Sequence, residues 1–206
     1  MTNRREFLHL GVAALSLPIA ARAGMSPELF RAEQRVDAEP LYKTFFDERF
    51  FSCAVFADEM KRRALPTHAI RGDITEVWFG DLYYRWKQGS GQHGPTAIAG
   101  LTAPGPIFCL EMLARDAGMR VALRVDHRRV GERIEHEFVV PENVLARAAG
   151  LRASGEEWPE RMAELVAEFP AERGTAQKST ILGRSTAAGD DPEHLVTWVI
   201  APIRRA

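Results

Sequence analysis

Between Pro40 and Asp126 the chain alternates between strand-like and helix-like segments, and this alternation restricts the possible folds more than any other feature. Pro40–Phe46 is apolar and β-rich and reads as a strand. In 50–65, Cys53, Phe56, Ala57, Met60 and Ala64 recur at helical spacing, and Pro66 closes the helix. Thr67–Arg71 is a short strand ended by Gly72. Asp73 and Glu76 then form a capping-box pattern before a helix running to about Lys87, with Ile74, Val77, Trp78, Leu82 and Trp86 on one side. After a glycine-rich loop at 88–94, the small residues Thr96–Leu101 suit the centre of a sheet. A tight turn at 102–106 places Pro106 at the first position of a helix over 107–117, which Gly118 caps. Arg120–Asp126 alternates Val121, Leu123 and Val125 with polar residues, the pattern of a half-buried strand.

Strands alternating with helices imply parallel pairing through right-handed crossovers, with helices on both faces. Beyond residue 126 the pattern changes. Residues 133–140 complete a hairpin with 120–126, and a short helix is expected over 142–149. A helix over 158–169 carries Trp158, Met162, Leu165, Val166 and Phe169 as one stripe. Two late strands, 178–183 and 194–201, are expected to pair antiparallel with each other through the loop at 187–192. The expected fold is α/β: a three-layer parallel sheet with flanking helices, Rossmann-like or flavodoxin-like, with a C-terminal antiparallel extension. The expected organisation is a segment at 1–23, an N-terminal arm at 24–39 with a short helix at 27–34, and a single α/β domain at 40–206.

The formal net charge is −1, and residues 24–206 are slightly more acidic because Arg4, Arg5 and Arg22 precede them. Nothing in that balance favours a nucleic-acid surface. Cys53 and Cys109 both fall in helical segments among apolar neighbours, and both are expected as buried free thiols rather than a disulfide. No Cys-x-x-Cys or Cys-His spacing suggests a metal site, and no motif names a cofactor.

In an open parallel sheet, ligands bind outside the carboxyl ends of the strands, where the strand order switches. The residues expected there are Asp47, Glu48 and Arg49 after the first strand, Arg71, Gly72 and Asp73 after the second, Thr102, Pro104 and Gly105 after the third, and Asp126 and His127 after the fourth. The turn after the third strand leads into a helix N-terminus, whose free N–H groups favour an anion. Arg49, Arg71, Asp73, Thr102 and Gly105 are therefore the candidate ligand-binding residues, for a small carboxylate or phosphate. The competing reading is that Asp47 with Arg49, and Arg71 with Asp73, are local turn and cap partners.

Catalytic signals are sparse. The chain has no Gly-x-Gly-x-x-Gly, no phosphate loop and no Gly-x-Ser-x-Gly elbow. Asp47 and His127 are the candidate acid–base residues, although a histidine at a strand end is expected at the surface. His136, within Glu135-His136-Glu137, is read as part of a solvated hairpin. Trp78, Phe79, Tyr83, Tyr84 and Trp86 exceed what one buried stripe needs, so some of them are expected to face outward, against a partner or under the N-terminal arm.

The first residues run Asn3-Arg4-Arg5-Glu6-Phe7-Leu8-His9, followed by a short apolar run from Leu10 to Ala21 and then Ala21-Arg22-Ala23. The segment resembles a twin-arginine export signal over residues 1–23, with Asn3 and His9 departing from the usual pattern. The resemblance implies cleavage after Ala23, passage of a folded domain to the periplasm and no membrane span afterwards. Such cargo often carries a cofactor or travels with a partner that does. Two functions are therefore expected: an exported accessory or small-ligand-binding protein, serving a redox enzyme system and bound to another exported protein; or a small periplasmic enzyme acting on an anionic substrate at the sheet's carboxyl edge.

Overall fold

The computed structural model describes residues 39–87, 96–131, 133–140, 144, 148, 155–169, 183–186 and 191–203. The expected signal segment, the N-terminal arm up to residue 38, the 88–94 loop, residues 178–182 of the expected strand and residues 187–190 of the expected late loop lie outside these residues, as does most of the expected helix at 142–149, of which Val144 and Ala148 are helical and buried.

The strands are β1 (Leu41–Asp47), β2 (Thr67–Ile70), β3 (Ala97–Thr102), β4 (Met119–Val130), β5 (Arg133–Val139), β6 (Gly183–Thr186) and β7 (His194–Pro202). They form one mixed sheet in the order β2-β1-β3-β7-β4-β5-β6. The β1–β2 and β1–β3 pairs are parallel, and the remaining four pairs are antiparallel. The helices are α1 (Phe51–Arg62), α2 (Thr75–Val77), α3 (Tyr83–Lys87), α4 (Pro104–Arg115) and α5 (Trp158–Ala167), with a π-helical segment at Trp78–Leu82 between α2 and α3.

The alternation read from the sequence is present, but the sheet is less parallel than expected. β4 runs in the same direction as β3, because both are antiparallel to β7. It does not sit beside β3, however. The last strand occupies the gap, giving a split β-α-β arrangement. Of the expected strand at 178–183 only Gly183 is described, as the first residue of β6, which pairs with β5 at the sheet's edge, while β7 lies inside the sheet between β3 and β4. Composition accounts for the inner position of β7. Seven consecutive residues from Leu195 to Ala201 are buried, as a strand covered on both faces requires.

An apolar cluster lies on each face. One gathers Cys53, Phe56 and Met60 of α1, Met162, Leu165 and Val166 of α5, and Leu123, Val125, Phe138 and Val199 of the sheet. The other gathers Trp78, Leu82 and Trp86, Ile107 and Leu110 of α4, and Phe45, Ile98, Val196 and Trp198. β3 touches both, and its small residues are needed. A Cβ at Gly100 would lie 2.6 Å from the Phe45 carbonyl oxygen and 2.7 Å from the Trp198 ring.

The π-helical segment keeps Trp78, Leu82 and Trp86 buried while Asp81 turns to β1. There it accepts from the Tyr42 hydroxyl at 2.9 Å and pairs with Lys43 at 2.5 Å. The expected capping box does not form. Asp73 accepts from the Thr75 N–H, two residues on, and the helix begins at Thr75. α4 likewise starts at Pro104, earlier than expected, so Gly105 lies in its first turn rather than in a loop. Cys53 is buried as expected, but Cys109 is exposed on α4; both are free thiols.

Candidate functional site

The carboxyl ends of β1, β2 and β3, the end of β4 and the start of β7 share one edge of the sheet. Asp47 ends β1 with no solvent exposure. The Arg49 guanidinium holds it through both oxygens, donating to Oδ1 at 2.8 Å and to Oδ2 at 2.6 Å. Arg49 also lies across Gly72, whose φ is +80°. A side chain at Gly72 would occupy the space of the guanidinium, so the left-handed glycine lets the turns after β1 and β2 meet.

α1 begins beside this pair. Phe50 provides no side-chain cap. The cap comes instead from Asp191, just ahead of β7, which accepts from the Ser52 N–H at 3.0 Å and from the Ser52 hydroxyl. Ser52 and Asp191 are both buried. A carboxylate at a helix N-terminus is favoured by the unpaired N–H groups and the helix dipole. Burial pushes the neighbouring Cys53 thiol far above its ordinary range, so it remains protonated and unreactive.

The other expected ligand-binding residues are turned to separate partners. Arg71 is largely exposed and pairs with Glu48 at 3.0 Å. Asp73 is spent on Thr75. Thr102 is buried, donates to the Ala103 carbonyl at 2.9 Å and accepts from the Trp198 indole at 3.1 Å. Gly105 faces open space. The structure therefore joins Asp47 to Arg49 and Arg49 to Gly72, whereas the contacts of Arg71, Asp73 and Thr102 are with local or core partners.

The two neighbours Asp126 and His127 point to opposite faces of β4, and each meets a histidine: Asp126 the distant His194 of β7, and His127 the facing His136 of the β4–β5 hairpin. Asp126 receives the Arg124 guanidinium at 2.8 and 2.9 Å and His194 Nε2 at 2.8 Å. Burial alone would raise the Asp126 carboxyl, but the hydrogen bonds from Arg124 and His194 outweigh it and hold it below the usual range. The His194 side chain is about one-third exposed.

His127 is buried, contrary to the surface position expected for it, because β4 continues to Val130 instead of ending at residue 126. His136 is buried too, and the hairpin is solvated only on its other face. His127 Nδ1 and His136 Nδ1 lie 2.6 Å apart, and His127 Nε2 lies 2.7 Å from Thr197 Oγ1. Trp158, the first residue of α5, covers both rings, with centroids 4.6 and 5.3 Å away. Burial, reinforced by the fields of His136 and His194, pushes His127 well below its ordinary value; burial lowers His136 to about 4. Both imidazoles are neutral at pH 7.

Sequence reasoning missed this pair, although the signal was present. His127 continues the apolar parity of Leu123 and Val125, and His136 sits between Ile134 and Phe138 on the same side of β5.

Among the described residues, no group of three or more His, Cys, Asp or Glu side chains is placed to hold a metal ion, and no helix is long and apolar enough to cross a membrane. Several large apolar side chains remain exposed on the helices that cover the Trp198 side of the sheet: Phe79, Tyr83 and Tyr84 around α3, and Phe108 and Met112 on α4. No protein-family model, no curated protein and no solved structure matches the chain.

Proposed function

We propose that the protein is an exported accessory protein that acts by binding another exported protein, in the service of a redox system, rather than by catalysis. One observation carries this reading. Phe79 and Phe108 are each about two-thirds exposed, with Tyr83, Tyr84 and Met112 also uncovered, on the two helices that share one side of the sheet. Exposed aromatic and methionine side chains are the residue types that anchor protein interfaces. Two further facts point the same way. The candidate acid–base residue Asp47 is saturated by Arg49, and His127 is sealed beneath Trp158. The twin-arginine resemblance supplies the compartment.

Recovery of the tagged full chain from the periplasmic fraction tests this reading. A stoichiometric exported protein should accompany it, and capture should fall at least tenfold when Phe79, Tyr84 and Phe108 are changed to Ser. Recovery only as a lone monomer, or equal capture by the triple variant, would overturn the proposal. Arg4→Lys with Arg5→Lys should abolish export.

A second reading, a periplasmic enzyme for a small anionic substrate, is favoured by the Asp126–His194 pair. A carboxylate fixed by Arg124 orients an imidazole that reaches solvent, an arrangement suited to general-base chemistry. If Asp126→Asn and His194→Gln leave every assayed turnover unchanged, this second reading fails.

A further inference from the structure

Two irregularities of the backbone meet at Asp81. The β1–β3 register shifts between Leu41 and Lys43, which interrupts the alternation of β1 at Tyr42. Leu41 packs against the cluster around Phe56, Tyr42 packs against the cluster around Trp198, and Lys43 stays on the side of Tyr42 to reach Asp81. Consecutive residues of a regular strand would point apart. From the helical side, the π-helical turn at Trp78–Leu82 brings Asp81 within reach of both side chains. Strand bulges and π-helical turns are over-represented beside functional sites, where they re-aim a side chain.

Arg85 completes this group, and its hydrogen bonding is incomplete. Its guanidinium carbon lies 3.5 Å from the centroid of the Tyr42 ring, and its Nε lies 3.8 Å from Asp81 Oδ1, too far for a hydrogen bond. Asp81 already accepts from the Tyr42 hydroxyl at 2.9 and 3.0 Å and from the Lys43 ammonium at 2.5 Å. Burial alone would lower Lys43 and raise Asp81, but their contact outweighs it: Lys43 is raised and Asp81 lowered, so both are charged at neutral pH. Two cations thus share one carboxylate, and the group is net positive. Among the described residues, three buried side-chain polar atoms have no hydrogen-bond partner, and two of them fall here: Arg85 Nε and Thr96 Oγ1. Thr96 is fixed at this end of the sheet, because its carbonyl accepts the Trp86 indole N–H at 3.3 Å and Ala97 pairs with Leu41. Both atoms are hydrogen-bond donors.

We propose that Arg85, Lys43 and Thr96 form a binding site for a small oxyanion, a carboxylate or phosphate group, at the amino end of β1. Arg85 is about one-third exposed and Lys43 about one-fifth, so the two cations reach solvent beside the unpaired donors. A buried N–H left unpaired costs free energy, which an anion's oxygen recovers on binding. By turning within its stack on Tyr42, the guanidinium offers Nε and an outer nitrogen as a fork to two oxygens. Asp81 competes with the ligand for the same cations, so it limits the affinity instead of taking part in binding. The site lies at the end of β1 opposite to Asp47 and Arg49, and it does not depend on the proposed partner binding.

Titration of the full chain with inorganic phosphate and, separately, with acetate, followed by 15N–1H shifts of the arginine Nε–H groups and the backbone, tests the site. At least one of the two anions should shift the Arg85 Nε–H and the amides of Tyr42, Lys43 and Thr96 along one saturating curve. The tighter of the two identifies the group as a phosphate or a carboxylate. This measurement on the unmodified chain needs no variant to fold. Arg85→Gln should weaken the binding about tenfold, through loss of a charge-assisted pair. Arg85→Lys should also weaken it, because the fork is lost while the charge remains. Asp81→Asn, which frees both cations, should tighten it. Shifts spread over the exposed arginines without saturation at Arg85, an unchanged affinity in Arg85→Gln, or no tightening in a folded Asp81→Asn would each overturn the proposal.

Discussion

Asp191 accepts hydrogen bonds from both the backbone N–H and the hydroxyl of Ser52, joining residues 139 positions apart. The start of α1 is thus capped by the segment that leads into β7, and the helix N-terminus depends on the last strand being in place. Asp191→Ala removes both acceptors from a buried helix start and should cost about 2–3 kcal/mol. Ser52→Ala keeps the backbone bond and should cost roughly half as much. Urea unfolding with an unchanged m-value would show both losses as shifts of the midpoint.

Such long-range partners explain what was legible in the sequence and what was not. Local periodicity located most elements within a few residues: the buried stripe Cys53, Phe56, Ala57 and Met60 of α1 is the one its spacing gives. Periodicity carries no information on which strand fills a gap, so the insertion of β7 between β3 and β4 was not readable. The same limit applies to the site. Asp47 and Arg49 are two residues apart, and their pairing followed from the turn. Asp126 with His194, and Ser52 with Asp191, depend on where β7 lands. His127 and His136 differ from expectation for another reason: the strand expected to end at residue 126 continues to Val130, which carries His127 into the apolar stripe and sets it opposite His136.

The C-terminus of α1 makes a separate prediction. The Ala64 N–H bonds to the Lys61 carbonyl at 2.8 Å and the Leu65 N–H to that of Met60 at 3.0 Å, the pairing of a Schellman motif. Ala64 supplies the left-handed residue, with φ of +56°. An L-residue with a Cβ is disfavoured there by about 1 kcal/mol relative to glycine. Part of that gain is offset because glycine also makes the unfolded chain more flexible. Ala64→Gly should therefore stabilise the protein by about 0.5 kcal/mol, visible as a small rise in the urea midpoint.

The two buried histidines set the pH dependence of stability. An unfolded histidine titrates near 6.5, whereas folded His136 titrates at about 4 and folded His127 also lies well below its ordinary value. Between these limits the unfolded chain binds more protons than the folded one, so stability is complete above about pH 6.5 and falls as the pH drops. Each histidine contributes a slope of up to about 1.4 kcal/mol per pH unit. Asp126 acts in a different window: its lowered carboxyl contributes stability above the unfolded carboxylate value, near 3.9, and loses it only at lower pH. Urea unfolding at pH 7, 6, 5 and 4.5 should thus show a loss that Asp126→Asn leaves unchanged in slope and His136→Gln reduces.

Thr102 distinguishes a ligand-binding turn from a core contact. Its hydroxyl accepts the Trp198 indole N–H at 3.1 Å, with both residues buried. Thr102→Val keeps the shape but leaves that N–H without its acceptor, at a cost of about 1–3 kcal/mol. In a Trp198→Phe background there is no N–H to orphan, so the same substitution should cost less. The double-mutant cycle should return a coupling of about 1 kcal/mol. Coupling near zero would mean that the indole is satisfied elsewhere and that the hydroxyl is free for a ligand at the carboxyl edge. A clear coupling would place Thr102 in the packing between β3 and β7.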